Sequence, residues 1–201
     1  MAEFDPSDHP LIERVRQWAE QDPDPVTRSE TERVLAAAAS GDDDAMRELA
    51  DAFGGRLAFG TAGLRGALGP GPRRMNRAVV IQTSAGFAEF LRERARRGDT
   101  ASPPSIVVGY DGRINSDVFA HDVAAVMAGA GISATLFPEP VPTPALAFAV
   151  RHLGASAGVM VTASHNPPRD NGYKVYLGDA DHGSQIIPPD DAAIAARIDA
   201  A

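Results

Sequence analysis

Apolar and polar positions follow two different patterns along the chain, and the pattern changes near residue 55. Residues 1–55 are rich in Ala, Glu, Asp and Arg and are broken at 22–25 and 40–42. This part predicts three short helices, at about 9–21, 28–39 and 42–53, which end before the glycine pair at 54–55. We therefore expect residues 1–55 to form a helical N-terminal extension that packs against the remainder. An oligomer contact is the weaker alternative.

From residue 56 onward, short apolar runs alternate with amphipathic stretches. The apolar runs predict strands at 105–109, 133–137, 157–161 and 174–177. The amphipathic stretches predict four helices, at about 76–97, from 116, at 143–154 and at 190–200, with Asn76 and Ser116 as N-caps. On the second helix we expect a stripe formed by Phe119, Val123, Val126 and Ala130. The alternation predicts an α/β fold over residues 56–201, a three-layer α/β/α domain with a mostly parallel mixed sheet.

Three polar loops follow three of the proposed strands, at 60–66, 110–115 and 162–172. In open α/β sheets, ligands bind outside the carboxyl ends of the strands. We therefore expect the candidate site residues to gather at one edge of the sheet.

Composition narrows the class of protein. Of the 201 residues, 44% are hydrophobic and 23% are charged, which is ordinary for a globular protein with a real core. The net charge of −8 argues against a nucleic-acid partner, although a few arginines can still make a local phosphate pocket. There is no cysteine, no long apolar run and no signal-peptide pattern. We expect no membrane partner and a cytoplasmic location.

The strongest candidate chemistry is in residues 162–167, Thr-Ala-Ser-His-Asn-Pro, directly after an apolar strand. Ser164 stands beside His165, and Lys174 follows within ten residues. Serine is a weak nucleophile that needs a base, a cation or a metal for activation. Lys174 is also the only lysine among 19 basic residues, and a lysine can lose its proton where an arginine cannot. The pattern indicates a phosphoryl-transfer or acyl-transfer site.

Two further loops offer groups that suit an anion. Residues 59–66 form a glycine-rich turn in which Gly63 permits close backbone approach and Arg65 can grip phosphate; an arginine paired to a surface carboxylate is the alternative. Asp111 could orient Arg65 or Lys174, with Arg113 reaching phosphate. An internal Asp–Arg pair that stiffens the turn is equally compatible with the sequence.

The other polar groups near the serine have less certain roles. His165 could bind substrate, assist the serine or brace the loop, and Asn166 with the prolines after it stiffens the exit of the turn. Asp179 and Asp181 alternate as metal ligands can, but solvated turn acids are the commoner explanation.

These motifs, in this order, resemble the α-D-phosphohexomutases, the phosphoglucomutase/phosphomannomutase superfamily. Residues 162–167 look like its phosphoserine signature, and 171–174 (Asn-Gly-Tyr-Lys) like the segment that bears its lysine. The block 59–91 and the Gln-Ile-Ile-Pro at 185–188 are most similar to the phosphopentomutase/phosphoglucomutase subgroup. The resemblance covers roughly residues 50–200.

The resemblance implies an intramolecular phosphotransferase that interconverts sugar 1-phosphates with 6-phosphates or 5-phosphates through a bisphosphate. By position, Ser164 carries the phosphoryl group and its phosphate is a Mg²⁺ ligand. Lys174 and Arg65 serve proton transfer and charge stabilisation, and His165 contacts substrate. Asp111, Arg113, Asn166 and Gly63 bind or orient phosphate. A sugar bisphosphate is the implied activator.

The family has four domains, and its aspartate-rich metal loop lies in the second, beyond residue 201. The chain therefore resembles the first domain, its implied partners are the other domains, and we expect negligible mutase activity from it alone. The sugar, whether glucose, mannose, ribose or deoxyribose, is not readable. A catalytically silent phospho-ligand module remains the alternative. A serine hydrolase is disfavoured because no Gly-x-Ser-x-Gly elbow surrounds Ser164.

Overall fold

A computed structural model describes residues 10–201, and the chain divides into two compact units. In the described part, the first unit comprises residues 10–57 and 68–79, and the second comprises 58–67 and 80–201. The sequence predicted one boundary, at residue 55. In the structure the later segment 68–79 also belongs to the first unit, together with residues 10–57. No helix among residues 10–201 is long and apolar enough to cross a membrane.

The first unit contains three helices, as predicted: α1 (Pro10–Gln21), α2 (Pro25–Ala39) and α3 (Asp43–Phe53). Residue 9, where the first helix was expected to begin, lies outside the described residues. The side chains of Asp24 and Asp42 cap α2 and α3 by accepting hydrogen bonds from backbone N–H groups of their first turns. The apolar faces of the three helices form a common core that includes Ile12, Val15, Val34, Leu49 and Phe53.

The second unit is built on a six-stranded sheet. Its strands are β1 (Leu64–Ala67), β2 (Ser105–Tyr110), β3 (Ser133–Leu136), β4 (Ala157–Val161), β5 (Asp170–Leu177) and β6 (Ser184–Gln185). Their order is β1-β5-β4-β2-β3, with β6 also paired to β5. β2 is parallel to β3 and β4, whereas β5 is antiparallel to β1, β4 and β6. Only β5 therefore opposes the common direction, and the predicted mostly parallel mixed sheet is confirmed.

Helices cover both faces of this sheet. They are α4 (Arg77–Arg97), α5 (Ser116–Gly129), α6 (Thr143–His152) and α7 (Asp190–Ala200). On one face, Leu146 and Val150 of α6 pack with Met160 and Tyr176 of the sheet. Tyr173 projects to the opposite face because strand side chains alternate, and its hydroxyl accepts a hydrogen bond from Ser84 of α4. This confirms the three-layer α/β/α architecture.

Two polar segments that the sequence assigned to loops are strands. Residues 64–67 form the edge strand β1, and β5 begins at Asp170 instead of Lys174. Their glycines and polar residues do not predict a strand. They form strands because the two segments pair with each other over residues 64–67 and 170–173. Strand propensity depends on such neighbours, which are not local in the sequence.

The predicted start and buried face of α5 are wrong in detail. The N-cap position is Asn115, at φ 62°, with no side-chain capping bond, while Ser116 donates its hydroxyl to Asp111. The buried residues of the helix include Phe119, Ala120, Val123 and Met127, whereas Val126 and Ala130 are only partly buried. The stripe is therefore rotated toward Met127. The predicted cap of α4 is confirmed, because Asn76 Oδ1 accepts the N–H of Val79 at 2.9 Å.

Candidate active site

The loops after β2 and β4 meet at one edge of the sheet. These strands are parallel neighbours, and the first residue after β2, Asp111, donates its N–H to the carbonyl of Val161 at 3.1 Å. Two of the three loops therefore gather as predicted. Arg65 arrives differently: it lies on β1, opposite Gly172 of β5.

Ser164 is exposed at the tip of the loop after β4 and adopts φ 55°. A non-glycine residue in this left-handed region is uncommon and persists only where surrounding contacts hold it. Its N–H donates to Thr162 Oγ1 at 2.9 Å, and the buried Thr162 hydroxyl donates to Asp111 Oδ2 at 2.6 Å. The loop after β2 thus sets the backbone at the serine.

Asp111 holds the two loops together. Besides Thr162, its carboxylate accepts hydrogen bonds from Ser116 Oγ at 2.8 Å and from the Arg113 N–H at 3.0 Å. Within residues 10–201 it makes no hydrogen bond or ion pair with Arg65 or Lys174, so the predicted orienting contact is absent there.

Arg113 is directed at the backbone of the serine loop. Its side chain is 15% exposed, and Nε lies 3.3 Å from Asp111 Oδ2. The two terminal nitrogens donate to four backbone carbonyls, those of residues 164, 166, 167 and 170, at 2.8–3.1 Å. The internal Asp–Arg pair that the sequence left open is therefore present.

Arg65 and Asn166 join β1 to the serine loop. Arg65 Nη1 donates to Asn166 Oδ1 at 3.1 Å, and Asn166 Nδ2 donates to Asp170 Oδ2 at 2.9 Å. This chain of contacts places a guanidinium beside the loop that bears Ser164.

Lys174 lies on β5, two residues beyond the Gly172 that pairs with Arg65, so the two side chains share one face of the sheet. Lys174 is partly buried and has no hydrogen-bonded or ion-paired partner in the described part of the chain. Partial burial lowers the pKa of Lys174 below its usual value, and the charge of Arg65 lowers it further. Both effects make the neutral amine more favourable than it would be in an exposed lysine.

The remaining candidates differ in setting. His165 is exposed and makes no hydrogen bond within residues 10–201. Gly63 adopts φ 75°, and a Cβ there would lie 1.9 Å from the Tyr173 carbonyl oxygen. A glycine is therefore required at position 63, because the chain passes so close to β5 there.

Two buried polar residues near the serine were missed by sequence reasoning. Asn171, fully buried, donates its amide to the carbonyl of Ile114 at 3.0 Å and to Ser116 Oγ at 3.0 Å. Thr162 bridges Ser164 and Asp111. The only signal was their place inside the motifs, since nothing in the spacing shows which polar side chains are buried.

Metal ligands are scarce in the described part of the chain. No group of three or more His, Asp or Glu side chains within residues 10–201 could hold an ion. Asp181 pairs with Arg94, and Asp179 accepts a hydrogen bond from Thr100, as expected for ordinary turn acids. Beside Ser164 lies a hollow of about 440 Å³ whose lining includes Arg113, Ile114 and Pro168.

Residues 56–201 match the model of phosphoglucomutase/phosphomannomutase, alpha/beta/alpha domain I. The chain belongs to this family. It is 58% identical over 125 residues to the Haemophilus influenzae protein named "Probable phosphomannomutase", covering 62% of this chain and 24% of that protein. It is 39% identical over 195 residues to the human phosphopentomutase, covering 94% of this chain and 30% of the human protein.

The fold comparison agrees. A crystal structure of a Thermus thermophilus protein named as a putative phosphomannomutase superposes with a TM-score of 0.62 and 36% identity. The match covers 72% of this chain and 30% of that one. The chain thus spans less than a third of the length of these relatives and corresponds to the first domain of the family. The family resemblance and its extent are confirmed.

Proposed function

We propose that this chain is the phosphoserine-bearing domain of a Mg²⁺-dependent sugar-phosphate mutase. The observation that carries the proposal is the setting of Ser164. Its hydroxyl is exposed on a loop held by Asp111, Arg113 and Arg65, next to the strand that bears a lysine with a lowered pKa. The names of the relatives support a phosphomutase reaction.

In the proposed reaction, phosphoserine 164 transfers its phosphoryl group to a free hydroxyl of a sugar monophosphate. The Oγ–P bond breaks and a sugar O–P bond forms, while Lys174 in its neutral form takes the sugar hydroxyl proton and passes this proton to Ser164 Oγ. The resulting bisphosphate reorients and returns its other phosphate to Ser164. Arg65 offsets the negative charge, and His165 contacts the sugar. The same bisphosphate is the proposed activator, since it can load an unphosphorylated serine.

The proposed Mg²⁺ ion would take only part of its ligand set from this chain. The phosphate on Ser164 would be one ligand, and the ion would neutralise charge on the transferring group. The residues 10–201 do not supply a carboxylate set for it. We therefore propose that further domains of the same polypeptide provide the remaining ligands. The proposed substrate is a small sugar phosphate and the proposed location is the cytoplasm. We propose no nucleic-acid or membrane partner.

The test is the intact mass of the protein purified from its own cells, with phosphopeptide mapping. Trypsin releases residues 152–169, in which Ser156 and Ser164 are the only serines. We expect a phosphate on Ser164, before or after incubation with glucose 1,6-bisphosphate or ribose 1,5-bisphosphate.

The matched controls are Ser164→Ala and Ser133→Ala, the second an exposed serine of β3. Only the first substitution should abolish labelling. An unmodified Ser164 that no bisphosphate phosphorylates would contradict the proposal and favour a silent phospho-ligand module.

A further inference from the structure

Arg113 has an unusual set of partners for an arginine in a phosphate-handling loop. Its two terminal nitrogens donate to the carbonyls of residues 164, 166, 167 and 170, and Nε faces Asp111. One side chain from the loop after β2 thereby gathers most of the loop after β4.

The serine loop has little other support from its own backbone. Its internal backbone hydrogen bonds are Asn166 N–H to the Ala163 carbonyl and Asp170 N–H to the Pro167 carbonyl, both at 3.0 Å. Pro167 and Pro168 have no N–H to donate. The left-handed conformation of Ser164 therefore depends on side-chain contacts: Thr162 Oγ1 accepts its N–H at 2.9 Å, and the Arg113 guanidinium binds its carbonyl at 2.8 Å.

Donor geometry explains why this residue is an arginine. A guanidinium is planar and presents its N–H groups in a fixed fork, so it can hold several carbonyls in fixed positions at once. A lysine ammonium has the same charge but only three donors on one atom. With its donors directed at carbonyls and Asp111, Arg113 has little capacity left for a phosphate.

We propose that Arg113 is a positioning residue that fixes the backbone of Ser164 for phosphoryl transfer and does not bind the sugar phosphate. This inference rests on the proposed function of Ser164. It predicts that Arg113 acts on the transfer rate through loop geometry, and that charge alone at this position is insufficient.

The kinetic test compares Arg113→Ala, Arg113→Lys and the control Arg169→Ala in the full polypeptide, with phosphorylation of Ser164 by glucose 1,6-bisphosphate as the readout. Arg169 is an exposed arginine of the same loop. We expect both Arg113 variants to transfer about 100-fold more slowly, as misplacement of a reacting group by an ångström can do, with KM nearly unchanged. Guanidinium ion at millimolar concentration should restore part of the Arg113→Ala rate, and methylammonium should not.

A raised KM with an unchanged maximal rate, or full activity of Arg113→Lys, would overturn the inference, because either result indicates contact with phosphate through charge. Loss of activity without rescue and with a lowered melting temperature would also overturn it, as a merely structural role.

A second measurement does not depend on activity. Hydrogen–deuterium exchange at the amides of Ser164, Asn166 and Asp170 should quicken in Arg113→Ala and stay unchanged in Arg169→Ala. If wild-type Ser164 accepts no phosphate, the proposed function fails while this exchange test still decides the loop role. Unchanged exchange in Arg113→Ala would sink the positioning role itself.

Discussion

Lys174 combines a partly buried position with a neighbouring positive charge. Both effects disfavour its charged form, and burial is the larger. Because it is the only lysine, its ε-carbon can be observed by NMR without overlap from other lysines.

We predict that an NMR titration of Lys174 gives a pKa below 10.5. Arg65→Met should raise this pKa only part of the way to normal, because burial remains, and Arg169→Gln should leave it unchanged. Between the lowered pKa of the folded state and the ordinary value of 10.5, Lys174 binds fewer protons in the folded chain than in the unfolded chain. The stability of the wild type should therefore rise with pH toward 10.5 relative to Lys174→Met. A wild-type pKa at or above 10.5 would contradict this account.

Gly63 and Gly60 provide a matched pair within one turn. Gly63→Ala places a methyl group 1.9 Å from the Tyr173 carbonyl oxygen and forces an L-residue to φ 75°, whereas a Cβ at Gly60 meets nothing within 4 Å. We predict that Gly63→Ala lowers the free energy of unfolding by more than about 2 kcal/mol. Gly60→Ala should change it by less than about 0.5 kcal/mol. Urea unfolding measures both, and equal losses would refute the close-approach explanation.

At the scale of elements, the sequence located helices better than strands. Helix caps and breaks are local, so α1, α2 and α3 follow their predicted positions within a few residues in the described part. Strand β1 and the first half of β5, residues 170–173, were not predicted as strands, because their glycines and polar residues become strands only by pairing with each other. The site motif at 171–174 was therefore assigned partly to a loop although it lies inside β5.

The N-cap residues Asp42 and Asn76 differ in the number of hydrogen bonds that their side chains make outside the helix they cap. Asp42 is exposed, and within residues 10–201 its side chain accepts hydrogen bonds only from the first turn of α3. Asn76 is 2% exposed; it caps α4 and also donates to the carbonyls of Gly69 at 3.0 Å and Gly71 at 2.8 Å. We predict that Asp42→Ala costs about 1 kcal/mol of stability and Asn76→Ala about 2–3 kcal/mol, since the latter also removes the buried amide's hydrogen bonds to the carbonyls of Gly69 and Gly71. Denaturant unfolding tests this, and an equal cost for the two would show that the extra donors contribute nothing.

At the scale of the whole molecule, the chain corresponds to the first domain of its family. It spans less than a third of the length of the relatives named above, and residues 10–201 contain no carboxylate cluster that could hold a metal ion. Under the proposed function, residues 10–201 would therefore offer a phosphoryl group at Ser164 no carboxylate-held metal ion.

We therefore predict that residues 1–201 alone do not turn over glucose 1-phosphate or ribose 1-phosphate, even with added Mg²⁺ and bisphosphate, while the full polypeptide does. A coupled assay of both, with Ser164→Ala in each to exclude a contaminating mutase, makes the comparison. Turnover by the short chain at an ordinary enzymatic rate, lost in its Ser164→Ala variant, would overturn the prediction.

The sequence by itself determined the α/β alternation, the three N-terminal helices and the family of the serine loop, because apolar periodicity, caps and a specific motif are local properties. The tertiary structure alone decided that β5 lies antiparallel between β1 and β4, which brings Arg65 to the face of Lys174. It also decided that Asp111 and Arg113 hold the serine loop. Hydrogen bonds from a side chain to backbone carbonyls depend on which segments the fold brings together, so they cannot be predicted from the type of residue alone.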